Sequence, residues 1–459
     1  MSSTDFSSLS LKPDLLKNLS SLGYESMTPI QALSLPAILS GEDVIGQGKT
    51  GSGKTAAFGL GLLQKLDVKA FRVQSIVLCP TRELADQVAS ELRRLARSIH
   101  NIKVLTLCGG APFGPQIGSL EHGAHIIVGT PGRIEEHLRK ATLKLEFVTM
   151  LVLDEADRML DMGFQDTIDR IIEKIPSRRQ TLLFSATYPD EIADIACRAL
   201  KNPTILEAPA VHEKDTIKQY FHLTNTDDER MNALRLLLAK HKPESALVFC
   251  NTKSDTQDVA DELAHYGFYA LAIHGDLDQR ERDQALIRFS NGSVSVLVAT
   301  DVAARGLDIK DLDMVINFNI AHDAEVHIHR IGRTGRAGQY GVACTLFSDR
   351  ETRKLEALDI DLSHINDPLP SATYLDKPIK KPVMTTLKID GGKKQKLRPG
   401  DIVGGLTGKG GLSGDKIGKI NVASNWSYVA VSSELVKTAL KKIQNDKLKG
   451  KTFRVRILQ

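Results

Sequence analysis

The chain has 459 residues, 42% hydrophobic and 25% charged, with a formal net charge of +4. That length exceeds one ordinary core and points to two or three domains. No apolar run of about eighteen residues suggests a membrane span, MSSTDFSSLS predicts no signal peptide, and five scattered cysteines without metal spacing fit a reduced cytosol.

Charge is unevenly placed along the chain. Residues 385–459 hold 16 Lys+Arg against 5 Asp+Glu, a net of +11, which leaves −7 on residues 1–384. A basic segment on an acidic body predicts an appended polyanion-binding module, although a solvated lysine-rich surface gives the same count.

Residues 24–208 alternate short apolar runs with helical stretches: SIVLCP (75–80), KVLTLCG (103–109), HIIVGTP (125–131), FVTMLVL (147–153) and TLLFSAT (181–187). Continuous apolar strands at this spacing predict a parallel sheet covered by helices. The pattern restarts after Pro203 and Pro209 with SALVFCNT (245–252), YALAIHG (269–275), VSVLVATD (294–301) and DMVINFN (313–319). We therefore expect an α/β chain with parallel-sheet domains at 1–208 and 209–365 and a proline-rich linker at 366–384. A basic α+β domain follows at 385–459, whose β-α-β-β-α-β order is that of a small ferredoxin-like sheet.

GKTGSGKT (48–55) fits G-x-x-x-x-G-K-[ST] between strand-like DVIGQ and helix-like AAFGLGLLQKL. Gly51, Ser52 and Gly53 let backbone N–H groups turn toward a phosphate. Lys54 reaches the outer phosphates, and Thr55 offers a hydroxyl to Mg²⁺. Such a loop needs a carboxylate at the end of a neighbouring strand, and LVLDEADRML (151–160) ends its apolar run on Asp154. Glu155 can orient and deprotonate the water that attacks the γ-phosphate. Asp157 more naturally holds a neighbouring loop. An acid-rich helix start would look the same in isolation, but beside a P-loop the metal reading is the stronger.

These motifs and the ones that follow resemble the DEAD-box family of ATP-dependent RNA helicases over roughly residues 6–350, with DEAD itself at 154–157. The resemblance implies two RecA-like domains, ATP and Mg²⁺ as cofactors, and RNA rather than DNA as partner. In GYESMTPIQ (23–31), Gln31 corresponds to the residue that reads the adenine edge, and Phe6 upstream to the ring that stacks on it. SAT (185–187) matches the coupling motif, in which Ser185 and Thr187 bond the DEAD segment. PTREL (80–84), GG (109–110) and TPGR (130–133) resemble RNA-backbone contacts, carried by Thr81, Arg82, Gly110, Thr130, Pro131, Gly132 and Arg133. Backbone N–H groups, hydroxyls and guanidinium forks suit phosphates and read no bases.

By the same likeness HRIGRTGRAG (329–338) supplies Arg333 and Arg336 as cations for the transferring phosphoryl group, with His329 as a coupling residue. Asp308 corresponds to a ribose-binding carboxylate, and Thr300, Asp301 and Arg282 fall at RNA-contact positions. The P-loop departs from the family in one place, opening on Gly48 where Ala is usual. The acids and the arginines lie on different domains, so hydrolysis is expected to need closure, which RNA bound to both would favour.

In the tail, NWSYVAV (425–431) partly fits the RNA-recognition consensus strand, with Trp426 and Tyr428 two apart on one sheet face. The RRM-like reading makes them base-stacking platforms, whereas a packed aromatic face is the alternative. Loop lysines, Lys393 and Lys394 among them, would add salt-dependent affinity. A helicase core followed by this short basic module resembles a bacterial branch of the family. That likeness implies a cytoplasmic enzyme that remodels 23S ribosomal RNA during large ribosomal subunit assembly. An ATP-gated RNA clamp with little unwinding has the same core motifs and stands as the alternative.

Overall fold

The computed structural model describes residues 4–48, 51–188, 190–208, 217–304, 312–335, 340–358 and 367–458. The chain forms two compact units, divided near His212.

The first unit is built on seven parallel strands: β1 (Val44–Gln47), β2 (Ser75–Leu78), β3 (Val104–Leu107), β4 (Ile126–Gly129), β5 (Met150–Asp154), β6 (Gln180–Ser185) and β7 (Thr204–Glu207). Their order is β3-β4-β2-β5-β6-β1-β7. Alternation along each strand feeds two cores. Val77, Val152 and Leu182 join helices on one face, while Ile76, Leu78, Leu151 and Leu183 join helices on the other. Burial on both faces is why these strands read as unbroken apolar runs. The edge strand β7 alternates half-buried and exposed residues, so it carries no such run and was not foreseen.

The second unit contains two sheets. Six parallel strands, β8 (Ile217–Leu223), β9 (Ala246–Cys250), β10 (Ala270–Ile273), β11 (Val296–Thr300), β12 (Met314–Asn317) and β13 (Gly341–Phe347), take the order β10-β11-β9-β12-β13-β8. Strands β8 and β13 were also not foreseen, since IKQYFHL and GVACTLF interrupt their apolar residues with polar ones. An antiparallel sheet follows, with β14 (Met384–Ile389), β15 (Ile417–Val422), β16 (Ser427–Ser432) and β17 (Val455–Ile457) in the order β15-β16-β14-β17. Leu387, Ile389, Val429 and Val431 bury one of its faces under the helices Pro399–Thr407 and Val436–Asn445.

The segment before β14 is anchored rather than free. Asp367 exchanges backbone and carboxylate hydrogen bonds with Phe221 at 2.7 and 2.8 Å, Ile379 packs on the core of the six-stranded sheet, and Lys380 pairs with Glu244 at 3.1 Å. Among the described residues no helix is long and apolar enough to cross a membrane.

Candidate nucleotide and RNA site

The C-terminal ends of parallel strands are where an open α/β sheet presents backbone groups and loops to ligands. In the first unit β1 runs into the P-loop, β5 ends on Asp154 and β6 ends on Ser185. The P-loop starts against β6, with Gly48 N donating to Ser185 O at 3.0 Å. Gly51 and Gly53 both adopt positive φ, +87° and +97°. A Cβ on Gly53 would stand 2.5 Å from Gln31 Nε2, so the loop needs glycine there for space as well as for conformation.

Gln31 is buried and ties its own helix to this loop. Its carbonyl oxygen accepts from Thr28 N at 2.9 Å, and its amide donates to Gly53 O at 3.1 Å. The Thr28 hydroxyl donates to Ser52 O at 2.7 Å, a contact the sequence reading missed although Thr28 occupies an evident capping position. Lys54 is 6% exposed and its ammonium donates to Gly48 O at 2.6 Å. The Phe6 ring is 4% exposed, packed in the core edge-on to Tyr24 with centroids 6.1 Å apart. The ring that the resemblance pairs with adenine is thus mostly covered by the core.

Asp154, Glu155 and Asp157 are all buried, at 3%, 4% and 8% exposure. Burial, and then the neighbouring Glu155 charge, push the Asp154 carboxyl up to about 7, against the pull of Lys54. Such a carboxyl, beside a second one, favours a cation. Glu155 sits in the left-handed region at φ +53° and pairs with Arg158, Nη1 to Oε2, at 2.5 Å. Asp157 forms the expected bridge to SAT. Its Oδ2 accepts from Ala186 N at 3.1 Å and from the Thr187 hydroxyl at 3.4 Å, and its own N–H donates to Ser185 Oγ at 3.4 Å.

The PTREL, GG and TPGR segments follow β2, β3 and β4, so one sheet edge collects them all. Thr81 caps the helix Arg82–Leu95, its hydroxyl accepting from Leu84 N at 3.3 Å. Gly110 turns at φ +73°, and Thr130, Pro131 and Gly132 open the helix Pro131–Arg139. Arg133 joins the last two segments, donating to Ala111 O at 2.9 Å and pairing with Glu136 at 3.1 Å. These contacts orient its guanidinium at the start of the helix.

In the second unit, Thr300 is a buried cap whose hydroxyl accepts from Ala303 N at 3.4 Å. Both oxygens of Asp301 are taken by Arg330, at 2.7 and 2.6 Å. Asp301 is thereby anchored to the helix that carries Arg330. Arg330, which the sequence reading passed over, is 1% exposed and also donates to Asn319 O and Asn251 Oδ1 at 2.7 and 2.8 Å. The clue was its place beside His329, because a buried arginine requires an acid. His329 is half-buried on the helix Ala324–Ile331, and Arg333 just beyond it is buried. Arg282 lies on the helix Gln279–Ser290. Asp308 and Arg336 lie outside the described residues.

The tail bears on the choice between its two readings. The outer face of its sheet, with Thr386, Lys388 and Tyr428, lies against the helix Gln279–Ser290 and the turn after it. Thr386 Oγ1 meets Asn291 Nδ2 and Ser293 Oγ, each at 2.8 Å. Trp426 is half-buried, with the Arg280 guanidinium and the Lys388 ammonium each 5.0 Å from its ring. Tyr428 is 1% exposed, and burial pushes its phenol up to about 12. A ring so enclosed offers no face to a base, so of the two readings the packed one holds for Tyr428. Lys393 and Lys394 keep exposed side chains on a turn whose backbone is pinned to Ala423 O and Ser424 O at 2.8 and 2.9 Å.

Comparison with known proteins agrees with this layout. The DEAD/DEAH box helicase family matches residues 28–195, the helicase conserved C-terminal domain residues 229–338, and the DbpA RNA binding domain residues 386–457. The ATP-dependent RNA helicase DbpA of Escherichia coli is 54% identical over 458 residues, 99% of this chain and 100% of that protein. The ATP-dependent RNA helicase CshA of Listeria monocytogenes is 44% identical over 81% of this chain and 71% of its own. Among solved structures, Dbp5 of S. cerevisiae bound to RNA and ADP BeF3 aligns at TM-score 0.71 and 31% identity, covering 78% of this chain and 94% of its own.

Proposed function

The chain belongs to the DEAD-box family of ATP-dependent RNA helicases, and on that premise we propose that it remodels 23S ribosomal RNA during large-subunit assembly in the cytoplasm. That it is an RNA helicase using ATP follows from its family and its close relatives. The target rests on the tail. Its net +11 charge stands on a module similar throughout residues 386–457 to the DbpA RNA binding domain.

In this reading Gly51, Ser52, Gly53 and Lys54 hold the phosphates, Gln31 and the edge of Phe6 meet the adenine, and Asp308 meets the ribose. Glu155 takes the proton of the attacking water. Arg333 and Arg336 stabilise charge on the transferring phosphoryl group. Mg²⁺ fits Thr55 and Asp154, because the buried acid calls for a cation and the nearby Ser52 hydroxyl has no hydrogen-bond partner among the described residues. When bound, the ion would neutralise phosphate charge. Asp157, Ser185 and Thr187 carry changes at the nucleotide to the rest of the domain, and His329 serves the same coupling from the second unit. Thr81, Arg82, Gly110, the TPGR helix start, Arg282 and the lysine turn at Lys393 and Lys394 contact RNA phosphates, and Trp426 lends its remaining open surface to a base.

Steady-state ATP turnover with ribosomal RNA, poly(U) or single-stranded DNA at matched nucleotide concentration tests the proposal. Strong stimulation by ribosomal RNA alone, abolished on deleting 385–459, is the expected result. Equal stimulation by poly(U) would remove the assigned target. ATP-dependent RNA retention without strand separation would make the protein a clamp.

A further inference from the structure

Glu155 has a partner that the nucleotide chemistry does not explain. Arg158 stands three residues on, at the start of the short helix Ala156–Asp161, and its Nη1 meets Glu155 Oε2 at 2.5 Å. Both side chains are almost fully enclosed, at 5% and 6% exposure, so neither charge is relieved by water. Arg158 engages only one of the two carboxylate oxygens, Oε2. The backbone under this pair is in the left-handed region, which a non-glycine residue holds only where its surroundings over-determine it.

We infer that Arg158 is a positioning residue for Glu155: it fixes one carboxylate oxygen and the rotamer, leaving the other oxygen to receive the proton of the attacking water. The inference rests on the reading of Glu155 as general base. Removing Arg158 leaves a carboxylate with an unfixed rotamer beside Asp154, and a misplaced base loses rate rather than nucleotide binding. The contact is a single N–H to one oxygen, not a two-point fork. A lysine ammonium can therefore replace it here, although it could not at a bidentate site.

The test compares Arg158→Met, Arg158→Lys, Glu155→Gln and the double variant Arg158→Met/Glu155→Gln in the full chain with saturating RNA. Arg158→Met is expected to lower kcat about 10- to 100-fold, the range a misaligned catalytic group gives, with KM for ATP within about two-fold. Arg158→Lys should recover most of that loss. In single-turnover measurements the double variant should be no slower than Glu155→Gln alone. Should Arg158→Met fail to fold, judged by its melting temperature, Arg158→Lys and Arg158→Gln decide, with Lys near wild type and Gln impaired in kcat. The inference is overturned if kcat stays within two-fold, if the loss falls mainly on KM, or if the double variant is slower still. Full turnover by Glu155→Gln would instead overturn the reading of Glu155 as base.

Discussion

The sheet edge of the first unit and the outer sheet face of the tail both expose short motifs to the same question: does a polar or aromatic side chain meet ligand or protein? At the sheet edge the motif residues meet one another. Gln31 holds Gly53, Asp157 holds the SAT turn, and Asp154 and Glu155 stay buried within reach of the P-loop end of the sheet. On the tail the motif residues meet a different domain, and Tyr428 is closed off by the helix Gln279–Ser290. A motif whose partners lie within one sheet edge keeps its chemistry wherever that sheet forms. A motif on an open face depends on what packs over it.

That contrast can be broken or sharpened by mutation. The largest effects belong to the sheet edge. Lys54→Ala or Glu155→Gln should cut RNA-stimulated ATP turnover at least about 100-fold, the contribution of a positioned acid–base group, while leaving tail-mediated RNA binding measurable by filter retention. Arg333→Ala should lower kcat by about 10³ or more, as loss of a transition-state cation does, with a much smaller change in nucleotide affinity.

On the tail, Tyr428→Ala should behave as a core deletion. A loss of about 3 kcal/mol or more, read as a lower melting temperature, is expected for a buried aromatic ring. The pair Lys393→Ala and Lys394→Ala should leave melting unchanged. It should weaken RNA binding and reduce the slope of log affinity against log salt by about 2, one for each phosphate that is no longer neutralised. If Tyr428→Ala instead weakened RNA binding without lowering stability, the tail face would be open and the contrast would disappear.

A further prediction concerns pH. A carboxyl whose folded pKa is raised binds its proton more tightly when folded, so folding loses stability as pH rises from the unfolded value toward the folded one. For Asp154 that window runs from 3.8 to about 7. Asp154→Asn should therefore raise the melting temperature of the protein without nucleotide most at pH 8, and the gain should shrink to little near pH 4. A gain independent of pH would mean that the Asp154 charge is not what the fold resists.

Much of this molecule was legible in the order of its residues. Apolar runs at regular spacing marked strands buried on both faces, because such strands have no polar side to show. The P-loop, DEAD and SAT stretches lie at strand ends and act through nearby backbone, so type and spacing sufficed to group them. Edge strands β7 and β8 escaped because one side of each is wet. What only the tertiary structure decided is which side chains are already taken: Asp301 by Arg330, Arg133 by the Ala111 carbonyl, Tyr428 by the helix laid across it. Each of these depends on contacts between segments that lie far apart in the chain or on separate elements. Burial makes such contacts strong because water no longer competes for the polar atoms, and no local pattern of residues records them.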